Sequence, residues 1–591
     1  MENVDVARIF DEVADLLEIL GENAFRVRAY RTAARTVEGL GEPAARIAGD
    51  GGVGALCELP GIGKDLAGKI VEIVETGDLG LRRELCEKLP ETLVEMMRIG
   101  GIGPKRARLL YEELGLKTVD ALEQAARQGR LRSVRGLGET LEARILRGCL
   151  EHKARIGRVR IDEADARAAP LRAFLESAPR IERVEIAGSL RRRRDTVADL
   201  DVLVASRHPG AVADHLERYP DVERVVARGD TKCVVVLRSG MQVDVRIVEP
   251  ESFGAALHYF TGSKPHNIAV RLLGVKRHLK INEYGVFRGA RRIGGRDEES
   301  VFRAVGLPWI PPELREDRGE IDAAREGRLP HLLELADIKG DLHMHTKSTD
   351  GKNTVLEMAK ASAALGYQYI AITDHTHALA MTKGFERAGF EKQAREIAAA
   401  QREVPELTIL RGAEVDILED GRLDLDDRTL EELDVVHVSV HSKLDLPEAQ
   451  MTERVLRAMR HPCVHVLAHP SARLIGKREP IALDMQKIVR AAHDLGVLLE
   501  INAQPERLDL TDVHVRMARD AGCRFVIDTD AHRTSELHFM HYGVGQARRG
   551  WCAAADVANT YALPRLRETL RLRRDGRRPA IRMSSQERAR A

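Results

Sequence analysis

Apolar positions along the chain change rhythm three times. Over residues 2–50 they recur at helical spacing. A first helix ends near Leu20 with Gly21 as its stop. A second carries Phe25, Val27, Tyr30, Ala33 and Ala34, with Arg26, Arg28, Arg31 and Arg35 interleaved. Three Gly-apolar-Gly pieces follow: Gly61-Ile62-Gly63-Lys64, Gly101-Ile102-Gly103-Pro104-Lys105 and Gly136-Leu137-Gly138. Each opens a helical pattern with a small residue expected inward: Ala67, Ala107 and Ala143. From about 157 to 250 helices such as 164–177 mix with strands at 184–187, 233–237 and 243–248. Pro311-Pro312 and a charged stretch mark a boundary. Beyond 339, apolar runs near 369–372, 408–410, 438–440, 464–467 and 525–527 alternate with helical patterns at 355–365, 391–400, 449–459, 484–495 and 513–521. Alternating β and α units predict a barrel with its chemistry at the C-terminal strand ends.

Composition narrows the class. The 591 residues are 43% hydrophobic and 31% charged, with net charge +1, as expected of a soluble multidomain protein. The seven cysteines form no C-x-x-C pair, which argues for a reducing compartment and against a thiolate zinc site. The first ten residues are unlike a signal peptide, and no apolar run approaches a membrane span, so a cytoplasmic location is expected. From about Leu570 the chain turns Arg-rich, and 576–591 reads as a basic, disordered tail. The acid-rich segment 414–434 reads as a solvated loop and helix beyond Glu414.

Two stretches carry candidate chemistry. In Gly188–Val204 a Gly-Ser helix start precedes a strand with Asp199 and Asp201. Strand side chains alternate faces, so both carboxylates share one face. They repel unless divalent cations sit between them, and Asp244 on another alternating strand could complete the set. Gly188-Ser189 suits an anion. In the C-terminal half, His343-x-His345, Asp374-His375, Glu414, His441, His469 and Asp530-x-His532 fall at strand ends. Such mixed N and O donors suit Zn²⁺, Mn²⁺ or Fe²⁺.

The Gly-Ser, Asp-x-Asp and distant Asp arrangement resembles the nucleotidyltransferase signature of the polymerase beta superfamily. The string Tyr259-Phe260-Thr261-Gly262-Ser263-Lys264-Pro265-His266-Asn267, leading to Arg271, resembles the nucleotide-binding motif of family X DNA polymerases. The Gly repeats resemble helix-hairpin-helix motifs, and the histidine series resembles the PHP (polymerase and histidinol phosphatase) family. Together they resemble a bacterial family X DNA polymerase with a C-terminal PHP domain.

That resemblance implies a multidomain α/β fold: N-terminal helix-hairpin-helix domains, a polymerase beta-like palm and thumb, and a distorted (β/α)7 PHP barrel. The implied division is 1–80 (an 8-kDa-like helical domain), 81–155 (a fingers-like DNA-binding domain), 156–250 (palm), 251–315 (nucleotide-selecting thumb), 316–338 (linker), 339–575 (PHP) and the tail. It implies that Asp199, Asp201 and Asp244 hold Mg²⁺. Gly188, Ser189, Arg192, Tyr259, Phe260, Gly262, Ser263, Asn267 and Arg271 would bind the nucleotide, and Gly61, Gly63, Gly101, Gly103 and Lys105 would bind DNA. In the PHP half, His343, His345, Glu414 and Asp530 would hold one metal; Asp350, His375 and His532 a second; His441, His469 and a bridging Glu414 a third. His377, His437 and His465 are expected to pack nearby.

The chain departs from the family in places. Gln242 stands where animal members have an arginine, Lys264-Pro265 replaces an acidic and apolar pair, and Asp350 stands where some PHP members have histidine. Lys69 matches the Schiff-base lysine of polymerase beta, while Asp65 replaces a basic residue, leaving a lyase role and a phosphate contact both open. The implied function is gap filling in base-excision repair, with 3′–5′ exonuclease, 3′-phosphatase or abasic-endonuclease activity. The expected partners are gapped or nicked DNA and dNTPs, with the chain a monomer. The competing readings are a nuclease whose polymerase half only grips DNA, a DNA-end scaffold, and a small-molecule phosphatase.

Overall fold

The computed structural model describes all residues except 1–2, 39, 41–43, 91, 98, 156–157, 379–383 and 576–591; the expected basic tail lies outside the described residues. The chain forms two compact units, Met1–Ile156 and Gly157–Ala591.

The first unit is helical. Helix Asn3–Leu20 buries Phe10, Val13, Leu16 and Leu17 against Tyr30, Ala33 and Val37 of helix Ala24–Glu38. Gly61 and Gly101 have φ of +76° and +97°, the left-handed region that glycine enters freely. A Cβ at either would meet Thr32 or Leu141 within 3 Å. Gly63 and Gly103 then take the extended N-cap position of helices Lys64–Thr76 and Pro104–Leu114, with open space beside them. Ala67 and Ala107 are buried as expected, but Ala143 is exposed. In the third repeat the inward position belongs to Glu142, whose carboxylate accepts from the backbone N–H groups of Leu131 (2.9 Å) and Arg132 (3.1 Å).

In the second unit a five-stranded sheet runs Arg183–Ile186, Asp199–Ala205, Gln242–Val248, Lys232–Leu237, Val222–Arg228. Asp199–Ala205 and Gln242–Val248 pair in parallel, which sets Asp201 opposite Asp244. Helix Ile161–Glu176 packs against this sheet through Ala164, Ala168, Leu171 and Leu175. Helices Phe253–Thr261 and Lys264–Lys276, a three-stranded sheet and helix Glu298–Ala304 follow. The segment expected as a linker is folded in: Leu314, Ile321, Ala323 and Leu332 are buried with Val301 and Phe302.

The C-terminal part is a seven-stranded parallel sheet in chain order, from Gly340–Asp341 to Phe525–Asp528. A parallel bridge between Met344 and Ala531 joins its two ends into a nearly closed barrel. The helices predicted between strands form within a few residues of their expected bounds, as in Met485–Leu495 and Asp512–Asp520. Helix Leu563–Arg574 covers the bottom through Leu566 and Leu570.

Candidate active sites

Asp201 and Asp244 sit on facing positions of two parallel strands, and Asp199 lies two residues before Asp201. Gly188 opens the short helix Gly188–Arg191 at φ +62°, and a Cβ there would lie 2.1 Å from Asp201 Oδ2. Only glycine lets the backbone come so close to this carboxylate. Burial, then the Asp199 and Asp244 charges, push Asp201 up to about 7; burial, then Asp244, raise Asp199. Full ionisation of Asp199 and Asp201 is therefore favoured by added positive charge. Protein supplies only part of it: Lys232 Nζ lies 2.5 Å from Asp244 Oδ2. Gln242 Nε2 donates to Asp244 Oδ1 at 2.9 Å, filling the place of the family's arginine with a neutral donor. Lys232 was not foreseen, because it pairs with Arg246 on the neighbouring antiparallel strand and reaches Asp244 only diagonally.

The other nucleotide candidates lie on helix Gly188–Arg191 and just after it, and on and between helices Phe253–Thr261 and Lys264–Lys276. Arg192 is largely buried; its Nε donates to Glu316 Oε1 (3.0 Å) and its Nη1 to Thr261 O (2.7 Å). Tyr259 and Phe260 are half-buried, with rings 5.1 Å apart edge to face. Asn267 Nδ2 is tied to Tyr259 O (2.7 Å) and Gly262 O (3.1 Å). Ser263 caps helix Lys264–Lys276, and Arg271 on that helix is exposed.

At the barrel mouth one carboxylate organises the cluster. Glu414 Oε2 lies 3.1 to 3.4 Å from His343 Nε2, His345 Nε2 and His375 Nδ1, while Oε1 lies 2.8 Å from His469 Nε2 and 3.4 Å from His441 Nε2. Ligand atoms of His343, His345, Glu414 and Asp530 fall within 4.8 Å of one another; so do those of His345, Asp350, His375 and His532, and of His375, Glu414 and His441. His343 and His345 lie beyond the strand expected to carry them, which stops at Asp341. Glu414 lies inside its strand, Thr408–Asp416. Asp374 turns away from the cluster, accepting from Thr346, Thr349 and Gln393. His377 is exposed; the His437 ring lies 4.8 Å from that of His343, tilted by 42°, and His465 Nδ1 accepts from Val436 N.

The donor set fits divalent cations. His343 Nε2, both nitrogens of His345 and His375 Nδ1 are buried without hydrogen-bond partners, yet face carboxylates. Burial opposes charge on His343, but Glu500, Asp530 and Glu414 outweigh it and hold the imidazole well above its ordinary value. His532 is raised to about 9 against burial by Asp350 and Asp530; burial with His375 and His532 drives His345 down to about 4. Acids that force some imidazoles to protonate while others stay neutral call for cations among them.

A supporting layer lies beneath. Glu500 Oε1 is 2.6 Å from His343 Nδ1, its Oε2 accepts from His469 N (2.6 Å) and Asn502 Nδ2 (3.1 Å), and Asp416 Oδ1 is 3.0 Å from His441 Nδ1. Such partners orient metal-ligating histidines. A lone acid inside an apolar strand such as Leu498–Asn502 was the available signal for Glu500.

In the first unit, Lys69 bonds Asp65 and its Nζ lies 5.3 Å over the Tyr30 ring. Burial lowers its pKa, but Asp65 and Tyr30 outweigh this and the ammonium is held above its ordinary value.

Family models match residues 1–79 (helix-hairpin-helix domain), 93–149 (SAM-like helix-hairpin-helix tandem), 256–316 (DNA polymerase beta thumb) and 341–504 (PHP domain). The chain is 37% identical over 567 residues to the DNA polymerase/3'-5' exonuclease PolX of Bacillus subtilis (strain 168), covering 95% of this chain and 98% of that one. A probable phosphatase of Acetivibrio thermocellus is 30% identical over 206 residues, 33% of this chain and 80% of its own. DNA polymerase lambda of Arabidopsis thaliana is 26% identical over 348 residues, 53% of this chain and 62% of its own. The chain therefore belongs to the family X DNA polymerases that carry a C-terminal PHP domain.

Proposed function

We propose that the chain fills short gaps in DNA at the palm site and trims 3′ ends at the barrel mouth, as base-excision repair requires. The observation that carries this reading is the pairing of Asp201 opposite Asp244, with Gly188 pressed against Asp201. Asp199, Asp201 and Asp244 would hold two Mg²⁺, which when bound supply charge stabilisation for in-line phosphoryl transfer. Ser189 and Arg192 grip the triphosphate through charge-assisted hydrogen bonds. Tyr259 and Phe260 crowd the sugar edge, Asn267 meets the base, and Arg271 reaches toward the nascent pair. Gly188, Gly262 and Ser263 shape the turns around the nucleotide.

At the barrel, His343, His345, Glu414 and Asp530, then Asp350, His375 and His532, then His441 and His469 with Glu414, would hold three cations of the Mn²⁺, Zn²⁺ or Fe²⁺ type. Bound there, they supply an activated water near neutral pH and neutralise phosphate oxygens. The exonuclease named for the Bacillus subtilis relative supports this half of the reading.

Gly61, Gly63, Gly101, Gly103 and Lys105 present backbone N–H groups and charge to DNA phosphates without reading bases. The raised Lys69 favours a phosphate contact over a Schiff base, which needs a depressed pKa. No described helix is long and apolar enough to cross a membrane, and a cytoplasmic monomer is consistent with this.

The test uses a one-nucleotide gap with a blocked 3′ terminus, in Mg²⁺ and in Mn²⁺. Asp199→Ala with Asp201→Ala should abolish filling and leave unblocking intact; Glu414→Ala should abolish unblocking, and should fill only the same gap supplied with a free 3′-OH. Undiminished filling by the first variant defeats the palm assignment.

A further inference from the structure

The polymerase palm and thumb do not close their own cores. Leu508 and Tyr542, from the PHP half, are buried with the palm residues Leu171, Leu190, Val202 and Val243. Trp551 is buried with the thumb residues Val270, Phe302 and Ile310. Helix Met540–Arg549 thus lies between the two, and its last residue reaches the nucleotide-binding turn. Arg549 is buried; its Nη1 donates to the backbone oxygen of Arg192 at 2.7 Å and to Glu316 Oε1 at 3.0 Å, and its Nη2 donates to Asp512 Oδ2 at 2.6 Å. The same Glu316 oxygen accepts from Arg192 Nε at 3.0 Å, with Arg194 Nη1 at 3.8 Å.

We propose that Arg549, a residue of the PHP half, is a positioning residue for nucleotide binding at the polymerase site. It fixes the carbonyl of Arg192 and takes up part of the charge of Glu316, so the Arg192 guanidinium can exchange Glu316 for a triphosphate. This rests on the reading of Arg192 as a triphosphate contact. The physical argument is competition between anions. A carboxylate oxygen shared by two guanidinium groups holds each less tightly than it would hold one. Without Arg549, the buried Glu316 turns to Arg192 for its main counter-charge, because an unpaired buried carboxylate is costly. Arg192 is then drawn away from the incoming phosphates, and its backbone loses the donor that fixes the turn. Both effects weaken binding of the nucleotide more than the chemical step.

The experiment titrates dNTP on one-nucleotide gapped DNA with the full-length, Mg²⁺-supplied chain. It compares the wild type with Arg549→Met, Arg549→Lys, Arg549→Met/Glu316→Gln and Arg192→Ala. Arg549→Met should raise the nucleotide KM by about tenfold, the size of one charge-assisted hydrogen bond, with kcat changed far less. Arg549→Lys should recover part of the loss. Removing the Glu316 charge in the Arg549→Met background should recover part of the lost affinity, which a merely loosened structure would not do. Release of 3′-terminal nucleotides by the PHP half, whose metal set Arg549 does not touch, reports that the fold is kept. If Arg549→Met does not fold, Glu316→Gln alone decides: KM should stay level or fall, and a rise overturns the proposal. An unchanged KM in Arg549→Met, or a KM raised as far in the double variant as in the single one, also overturns it. An unchanged KM in Arg192→Ala sinks the reading of Arg192 itself, and the proposal with it; an effect there with none in Arg549→Met sinks only the proposal.

Discussion

Gly188→Ala puts the palm geometry to a direct test. The added Cβ would stand 2.1 Å from Asp201 Oδ2 and 2.9 Å from its Cγ, at a residue whose φ is +62°. The left-handed backbone costs a non-glycine residue about 1–2 kcal/mol, which a folded unit of this size tolerates. The overlap is the larger effect. To reach ordinary contact distance the Asp201 carboxylate must retreat by on the order of 1 Å. The strand pairing that sets Asp201 opposite Asp244 leaves the backbone little room to follow. A shift of that size at a reacting centre costs about 10²-fold in rate. The assay is single-turnover gap filling at saturating dNTP, with 3′-end trimming by the same preparation as the measure of intact folding. We expect filling to fall about 10²-fold while trimming is unchanged. Filling within about threefold of wild type would mean that Asp201 is not held where the chemistry needs it, and the reasoning fails.

Three further outcomes are expected. Asp201, raised to about 7, binds a proton in the folded chain that the unfolded chain gives up near pH 4; its contribution to metal-free stability is therefore greatest below that pH and falls as pH rises toward 7. Asp201→Asn should flatten that fall, by no more than about 4 kcal/mol, in denaturant unfolding at pH 5 and 8; equal pH slopes for both chains would refute it. Glu414→Gln weakens the carboxylate that faces five imidazoles, so elemental analysis of the purified chain should show the loss of more than one metal ion; a full complement would contradict the bridging assignment. Borohydride trapping on a 5′-deoxyribose-phosphate end should yield no adduct that depends on Lys69, because its ammonium is stabilised by Asp65 and Tyr30.

Local rhythm made much of this fold legible. Strand alternation placed Asp199 and Asp201 on one face, and the β and α alternation beyond residue 339 placed the histidines at one end of a barrel. Reading failed where a residue's role depends on segments distant in the chain. Ala143 looked inward by spacing, but the hairpin turned Glu142 in to bond two amides, and a buried carboxylate is invisible to a pattern built on apolar residues. Lys232 and Glu500 looked like ordinary strand residues until strand pairing set one beside Asp244 and packing set the other beneath His343. Arg549 ends a helix beside Arg548, a position that reads as a solvated basic end. Its contacts with Asp512 and with Arg192 and Glu316, the latter two more than 200 residues earlier, show it buried and paired instead.

The barrel mouth shows why so many charged groups persist in a buried place. Replacing a buried ion pair with apolar residues is often neutral or stabilising, so stability alone does not explain the cluster. Burial and neighbouring charges leave His343 and His375 raised and His345 and His469 lowered, a frustrated pattern in which no proton arrangement satisfies every group. Glu500 and Asp416 take the Nδ1 side of His343 and His441, which turns the Nε2 lone pairs toward Glu414. Where these nitrogens carry no proton their lone pairs and the carboxylate oxygens repel, and bound metal ions would turn that repulsion into bonds at every ligand together. The strain of the metal-free cluster is thus the counterpart of its affinity for metal: a chain that relieved it with apolar side chains would gain stability and lose the site.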